Sequence, residues 1–341
     1  MDSYGLVLSG GGAKGAYQVG VLKALAELDI NIEAISGASI GALNGSVIAC
    51  ADNTIDAAHK LQEIWNTLGD LKLFQLGENL PASIQRLIPQ IMFGLAAGLQ
   101  LHPTARILSG LASQLIDSSP ALFENGPLEQ IVSKNLDFIK LKTGLPLYVS
   151  VFENDNYLSS TLDVIKAEVF GYENQLSTFE HIQSLPIEKQ KEYILASAAL
   201  PLIFEAQKST NGQRLTDGGQ GGWISAQGNT PIQPLIDTGC KKIIVTHLSK
   251  GSLWNRHDFD AEIYEIRPTI DFGALGVVKF DQAYIDQLIQ AGYEDTTQQL
   301  GKIFSVLNSC QMLKDAPKTK DSDYDSLKTG ADQLLKRLEQ S

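Results

Sequence analysis

Residues 32–50 read IEAISGASIGALNGSVIAC, and the folding of this stretch decides the architecture. Ile32 to Ser36 read as a strand. Ser39 to Cys50 form a helix of small residues, in which Gly41, Ala42 and Gly45 permit close backbone packing. Between them, Gly37-Ala38-Ser39-Ile40-Gly41 fits G-x-S-x-G in the strand-to-helix setting which that motif needs. A serine on so sharp a turn takes up strained backbone angles, and flanking glycines keep neighbouring atoms clear of it.

Upstream the same arrangement occurs once more. Gly5 to Ser9 read as a buried strand, and Ala13 to Leu28 as a helix with Ala16, Val19, Leu22 and Ala26 at helical spacing. Strand, helix, strand, helix predicts a parallel sheet with helices on its faces. The turn between the first pair, Gly10-Gly11-Gly12-Ala13-Lys14-Gly15, literally satisfies GxGxxG. A dinucleotide site also needs a carboxylate at the end of the second strand, but that strand runs straight into Ser36-Gly37-Ala38-Ser39. A P-loop fits less well, because Lys14 precedes Gly15 and no Ser or Thr follows to hold magnesium; a nucleotide-binding protein, or a non-catalytic partner-binding one, stays as an alternative.

The second reading is an oxyanion hole, the N–H groups of the turn facing the negative oxygen that forms when a serine attacks an ester. Neighbouring parallel strands end side by side, so the two glycine turns can face one site. Lys14 and Gly15 close the first turn. A cation there opposes the helix macrodipole, which points to an anionic group offsetting it.

Serine needs a base. Of the five histidines, His247 ends a convincing strand, and the order Ser39, Asp217, His247 suits an α/β-hydrolase triad. Asp217, followed by Gly218 and Gly219, can instead approach another backbone closely and act directly. Both readings stand at this point.

Composition narrows the class. A 341-residue chain with 43% hydrophobic and 19% charged residues is an ordinary globular protein, and a formal net charge of -12 disfavours nucleic acid and polybasic membrane anchoring. Three widely spaced cysteines, Cys50, Cys240 and Cys310, form neither a disulfide framework nor a structural zinc site. They fit a reducing, cytoplasmic setting, and no secretory leader is read at the N-terminus. LIPQIMFGLAAGLQL, from Leu87, is interrupted by Pro89, Gln90, Gly94, Gly98 and Gln100 and falls short of a bilayer span.

Further along, residues 56–136 read as a helical insert, LPLYVSVFE from Leu145 as a strand, and Tyr193 to Ala199 as a short helix. FEAQKSTNGQRLT reads as a hairpin turning at Asn211-Gly212. Asn229-Thr230-Pro231 looks like a helix start, with Gly239 as its end. KKIIVTHLS and Glu262 to Arg267 are strands, helices follow to about Leu307, and a charged end closes the chain.

Four ordered motifs, GGGAKG, GASIG, ASAALP (Ala196 to Pro201) and DGG, resemble those of the patatin-like phospholipases, with Asn229-Thr230-Pro231 a weaker fifth. The resemblance implies an α/β fold: a three-layer α/β/α sandwich around a mainly parallel sheet, with a helical insert. It implies a domain over 1–310, the insert at about 56–136, and a charged tail over 311–341. It also implies a Ser39–Asp217 dyad without histidine, an oxyanion hole from Gly10, Gly11 and Gly12, and neither metal nor cofactor. The substrate class would be phospholipid or another acyl lipid, reached by transient membrane contact. Ile88, Ile91, Met92, Phe93, Leu95 and Leu99 would form a lid or bilayer-contacting surface. An activating ligand is compatible with the resemblance. The stretch QGGWISAQG after Asp217 is longer than the turn expected in the family and bears on substrate preference.

Overall fold

The computed structural model describes residues 3–70, 126–154, 178–198, 207–208, 214–217, 228–250, 254–273, 276, 279–315, 328–333 and 335–336. The expected lid at 87–101 and the Asn211-Gly212 turn lie outside these residues, as does most of QGGWISAQG. The chain divides into two compact units, Met1–Thr296 and Thr297–Ser341. The second is helical where it is described.

The first unit is built on one sheet. Its strands are β1 (Ser3–Leu8), β2 (Asn31–Ala38), β3 (Leu147–Asn154), β4 (Thr178–His181), β5 (Gln207–Lys208), β6 (Arg214–Asp217), β7 (Lys242–Thr246) and β8 (Glu262–Ile266). They lie in the order β5-β6-β3-β2-β1-β7-β8, with β4 also on β3. β1 pairs in parallel with β2 and β7, β2 with β3, and β7 with β8, while β4 and β6 run antiparallel to β3. The chain leaves β1 towards β2 and β3, then returns to place β7 on the other side of β1. Such a reversal opens a crevice at the carboxyl ends of the strands, and the first glycine turn leaves β1 there.

The helices in this unit are α1 (Ala16–Glu27), α2 (Ile40–Ala49), α3 (Thr54–Asp70), α4 (Gly126–Asn135), α5 (Phe138–Thr143), α6 (Ile187–Ala198) and α7 (Gln233–Asp237), with α8 (Gln282–Asp315) beginning here. Alternation along the strands assigns the layers. Leu8, Ile35 and Leu147 face α2, where they pack against Gly45. Val7, Ala34, Ile243 and Val245 face the other way, onto Ile232, Leu235 and Trp254. Helices therefore cover both faces, as a parallel sheet requires, and the three-layer α/β/α architecture expected from the motifs is present.

Several details depart from the sequence expectations, among them α6, which begins at Ile187 and not at Tyr193. Residues 229–231 do not begin a helix; α7 starts at Gln233, with Ile232 as its N-cap, and the three earlier residues serve the glycine turn as described below. β4 carries no alternating apolar signal (TFEH) and was not anticipated. Gly239 ends α7 with φ 91, the left-handed angle that glycine tolerates.

Candidate active site

Ser39 sits between β2 and α2 with φ 53 and ψ -127, a conformation that costs a non-glycine residue about 1–3 kcal/mol. The turn is held by backbone contact. A methyl group at Gly41 would run into the Leu8 carbonyl, and one at Gly37 would stand 2.5 Å from the Gly41 carbonyl oxygen. Both glycines of G-x-S-x-G are thus required by backbone approach. The Ser39 carbonyl accepts from the Ala42 amide at 2.9 Å, starting α2. Its own N–H donates to Ser197 Oγ on α6 at 3.0 Å. Ser39 is 3% exposed.

The first glycine turn lies directly alongside. A Cβ built on Gly10 would be 3.0 Å from Ser39 Cβ and 2.5 Å from Asn229 Oδ1, so the glycine run leaves room for the serine. The polar groups of the turn can be followed one by one. The Ser9 amide donates to Thr246 and its carbonyl accepts from Gln18 Nε2 at 2.8 Å. The Gly10 amide donates to the Asn229 carbonyl at 3.1 Å, and the Gly15 carbonyl accepts from Asn44 Nδ2 at 3.0 Å. Asn44 also donates to Gln18 Oε1 and accepts from Trp65 Nε1. Ser9 Oγ pairs with Thr230 Oγ1 at 2.9 Å, and Ser36 donates to the Pro231 carbonyl. Among the described residues, the amides of Gly11 and Gly12 have no such partner. The expectation that Gly10 belongs with them as a donor is therefore corrected: its N–H is already engaged, and its contribution is space beside Ser39.

Lys14 is 8% exposed, and desolvation pulls its pKa below the ordinary lysine value, against the attraction of Asp271. Its Cε lies by Gly276, 3.0 Å from where a Cβ would stand. Among the described residues no carboxylate pairs with its ammonium. Gly15 abuts Ile40 and Trp65, so the end of the turn packs against the start of α2.

Asp217 is the last residue of β6 and pairs with Val151. β3 runs four residues past its pairing with β2, which ends at Ala38↔Ser150, and this overhang is where β6 docks. Ser39 and Asp217 therefore follow the pairs on either side of one strand, at adjacent register positions. Two inter-strand steps correspond to about 10 Å between backbones.

His247 lies on the opposite flank, one residue beyond β7. It is 2% exposed, and its Nε2 is 3.1 Å from Glu265 Oε2, a carboxylate that also pairs with Arg267. Burial lowers its pKa, with Glu265 opposing that shift, while His247 and Arg267 hold the Glu265 carboxyl below its ordinary range. β7 and β6 are four inter-strand steps apart, about 19 Å. The triad alternative is corrected on that ground, since Asp217 and His247 are too far apart to share a hydrogen bond.

Sequence reasoning did not assign roles to Ser197, Asn229, Asn44 or Gln18. ASAALP and Asn229-Thr230-Pro231 flagged two of them by motif, without the contact each makes. Among the described residues no cluster of His, Cys, Asp or Glu could hold a metal ion, and no helix is long and apolar enough to cross a membrane.

The model of the patatin-like phospholipase family matches residues 6–236, more than half of the chain, and the protein belongs to that family. Over 79 residues it is 42% identical to the lysophospholipase nte1 of Aspergillus terreus, a match covering 23% of this chain and 5% of that one. Over 65 residues it is 43% identical to the neuropathy target esterase sws of Drosophila sechellia, covering 19% of this chain and 4% of that one. The matches thus take in a small fraction of those relatives' length. Solved structures similar to it include VipD from Legionella pneumophila (TM-score 0.43, 16% identity, 99% of this chain and 75% of that one). Another is ExoU in its heterodimeric complex with SpcU from Pseudomonas aeruginosa (TM-score 0.39, 16% identity, 89% and 52%).

Proposed function

We propose that this protein is a lipid acyl hydrolase of the phospholipase A or lysophospholipase type, acting through Ser39 and Asp217. The observation that carries the reading is the strained Ser39 elbow with Gly10 pressed against its Cβ. Backbone strain of this kind clusters at active sites, ligand clamps and switch regions. Family membership supports the ester-hydrolase class, and the lysophospholipase and esterase names of the relatives support a lipid ester.

The Asp217 carboxylate takes the Ser39 hydroxyl proton as that oxygen attacks the ester carbonyl carbon. Negative charge gathers on the carbonyl oxygen, where the Gly11 and Gly12 amides donate to it, with the buried Lys14 cation behind the turn adding a favourable field. The carbon–oxygen bond to the leaving alcohol breaks, and the alcohol takes the proton from Asp217. Water then gives its proton to Asp217 and attacks the acyl-serine, and the proton returns to Ser39 as the fatty acid leaves. Aspartate, with an ordinary pKa of about 3.9, is a weak base at neutral pH, so a bound acyl chain that excludes water assists the first step.

In this reading the enzyme works in the cytoplasm with transient contact at the bilayer. The test is fatty-acid release from defined diacyl and lyso phospholipids, with mass spectrometry of both products. Wild type releases fatty acid and Ser39→Ala reduces release to background. Unchanged release by Ser39→Ala would end the proposal.

A further inference from the structure

Behind the elbow lies a contact that the mechanism above does not use. The Ser39 amide donates to Ser197 Oγ at 3.0 Å, and the Ser197 hydroxyl in turn donates to the Ser150 carbonyl at 2.7 Å. Both serines are buried, Ser197 near the end of α6 and Ser150 on β3. A serine hydroxyl has one proton to give and lone pairs to accept with, so this geometry uses it in both directions at once. Among the described residues Ser150 Oγ is buried without a partner, so it is the backbone of Ser150, not its side chain, that anchors the chain of bonds.

The position of this relay matters more than its length. Ser150 is the β3 partner of Ala38, the residue before the nucleophile. The next residue, Val151, is the partner of Asp217. One hydroxyl therefore ties the strained peptide of Ser39 to the point on β3 from which the Asp217 strand departs. We infer that Ser197 is a positioning residue that holds the Ser39 elbow in its strained, reactive conformation and in register with β3.

Without the hydroxyl, the buried Ser39 N–H has no acceptor, and a buried unpaired amide is costly enough for the peptide to rotate towards another. Relaxation of φ from 53 would swing Cβ and Oγ away from Gly10 and the amides beyond it. The contribution is to orientation, not to substrate binding.

This inference rests on Ser39 being the nucleophile, so the experiment separates the two. Each full-length variant, with its folded fraction isolated by size exclusion, is assayed with a fluorophosphonate for the rate of covalent labelling. The same fractions are assayed with p-nitrophenyl butyrate for kcat and KM. Ser39→Ala abolishes labelling; if it does not, the nucleophile assignment fails independently of Ser197. Ser197→Ala lowers the labelling rate and kcat about 10- to 100-fold, the effect of a misplacement near 1 Å, and leaves KM within about twofold. Ser197→Thr and Ser197→Val match in shape and differ by the hydroxyl. The threonine variant labels at least about tenfold faster than the valine variant. Equal rates for that pair, or wild-type kcat in Ser197→Ala, overturn the inference. So does failure of both hydroxyl-free variants to yield folded protein, which would make the relay an element of the fold alone.

Discussion

Two polar clusters stand at the carboxyl ends of the same sheet, one on each flank of β1 and β2, and their fates differ. On the β7–β8 side, the buried His247 and the half-buried Arg267 both bond Glu265, a set with the outward marks of a catalytic base and its orienting carboxylate. On the β2–β3 side there is a serine in a strained turn, a second serine holding its amide, and a carboxylate-bearing strand one position further. A histidine held by a carboxylate is a catalytic signal when it faces a nucleophile. Here its Nε2 is occupied by Glu265 on the neighbouring strand. Its bonds tie β7 to β8, whereas the plainer cluster carries a strained backbone at Ser39.

That contrast can be probed from its strongest effect downwards. Gly10→Ala attacks the nucleophile side, because the added methyl meets Ser39 Cβ at 3.0 Å and Asn229 Oδ1 at 2.5 Å. The asparagine amide can swing aside, so the melting temperature changes little. The serine cannot retreat without losing its alignment, and esterase kcat falls about 10- to 100-fold. Wild-type kcat in this variant would mean that the glycine turn does not bear on the reacting serine.

The His247 side is expected to answer in stability alone. Burial depresses the His247 pKa below its ordinary 6.5, so as pH falls the unfolded chain takes up that proton first. The contribution is complete above about pH 6.5 and is lost as pH falls from there through the folded value. His181, also depressed, chiefly by burial, acts in the same direction and cancels between variants. Wild type should therefore lose more melting temperature than His247→Gln between about pH 7.5 and pH 5. Parallel losses would show that the histidine does not titrate against folding.

Much of the nucleophile side was legible in the sequence because its constraints are local. Gly37 and Gly41 lie within two residues of Ser39, and their need for open space follows from the turn itself. The strand–helix alternation up to Cys50 emerged with small shifts, a 3-10 turn at Gly12–Gly15 taking the place of the first helical residues. The rest depends on pairings across long stretches of chain. The Gly10 amide meets a carbonyl at residue 229, Ser9 pairs with Thr230, and Ser39 meets Ser197. A backbone carbonyl leaves no mark in the sequence, and a serine near the end of a helix has no periodic signature. His247 showed the reverse problem. Its place at a strand end was plain, but the carboxylate claiming its Nε2 is on the next strand, where Thr246 pairs with Ile266.

The central claim is that the base is the Asp217 carboxylate, on the far side of β3 from the serine, and not the buried histidine beyond β1. Its most direct test is kcat/KM on one phospholipid for Asp217→Asn and His247→Gln, measured per folded molecule. Asp217→Asn should fall by at least about a thousandfold while His247→Gln stays within about threefold of wild type. The opposite pattern, an active Asp217→Asn beside an inactive His247→Gln, would contradict it.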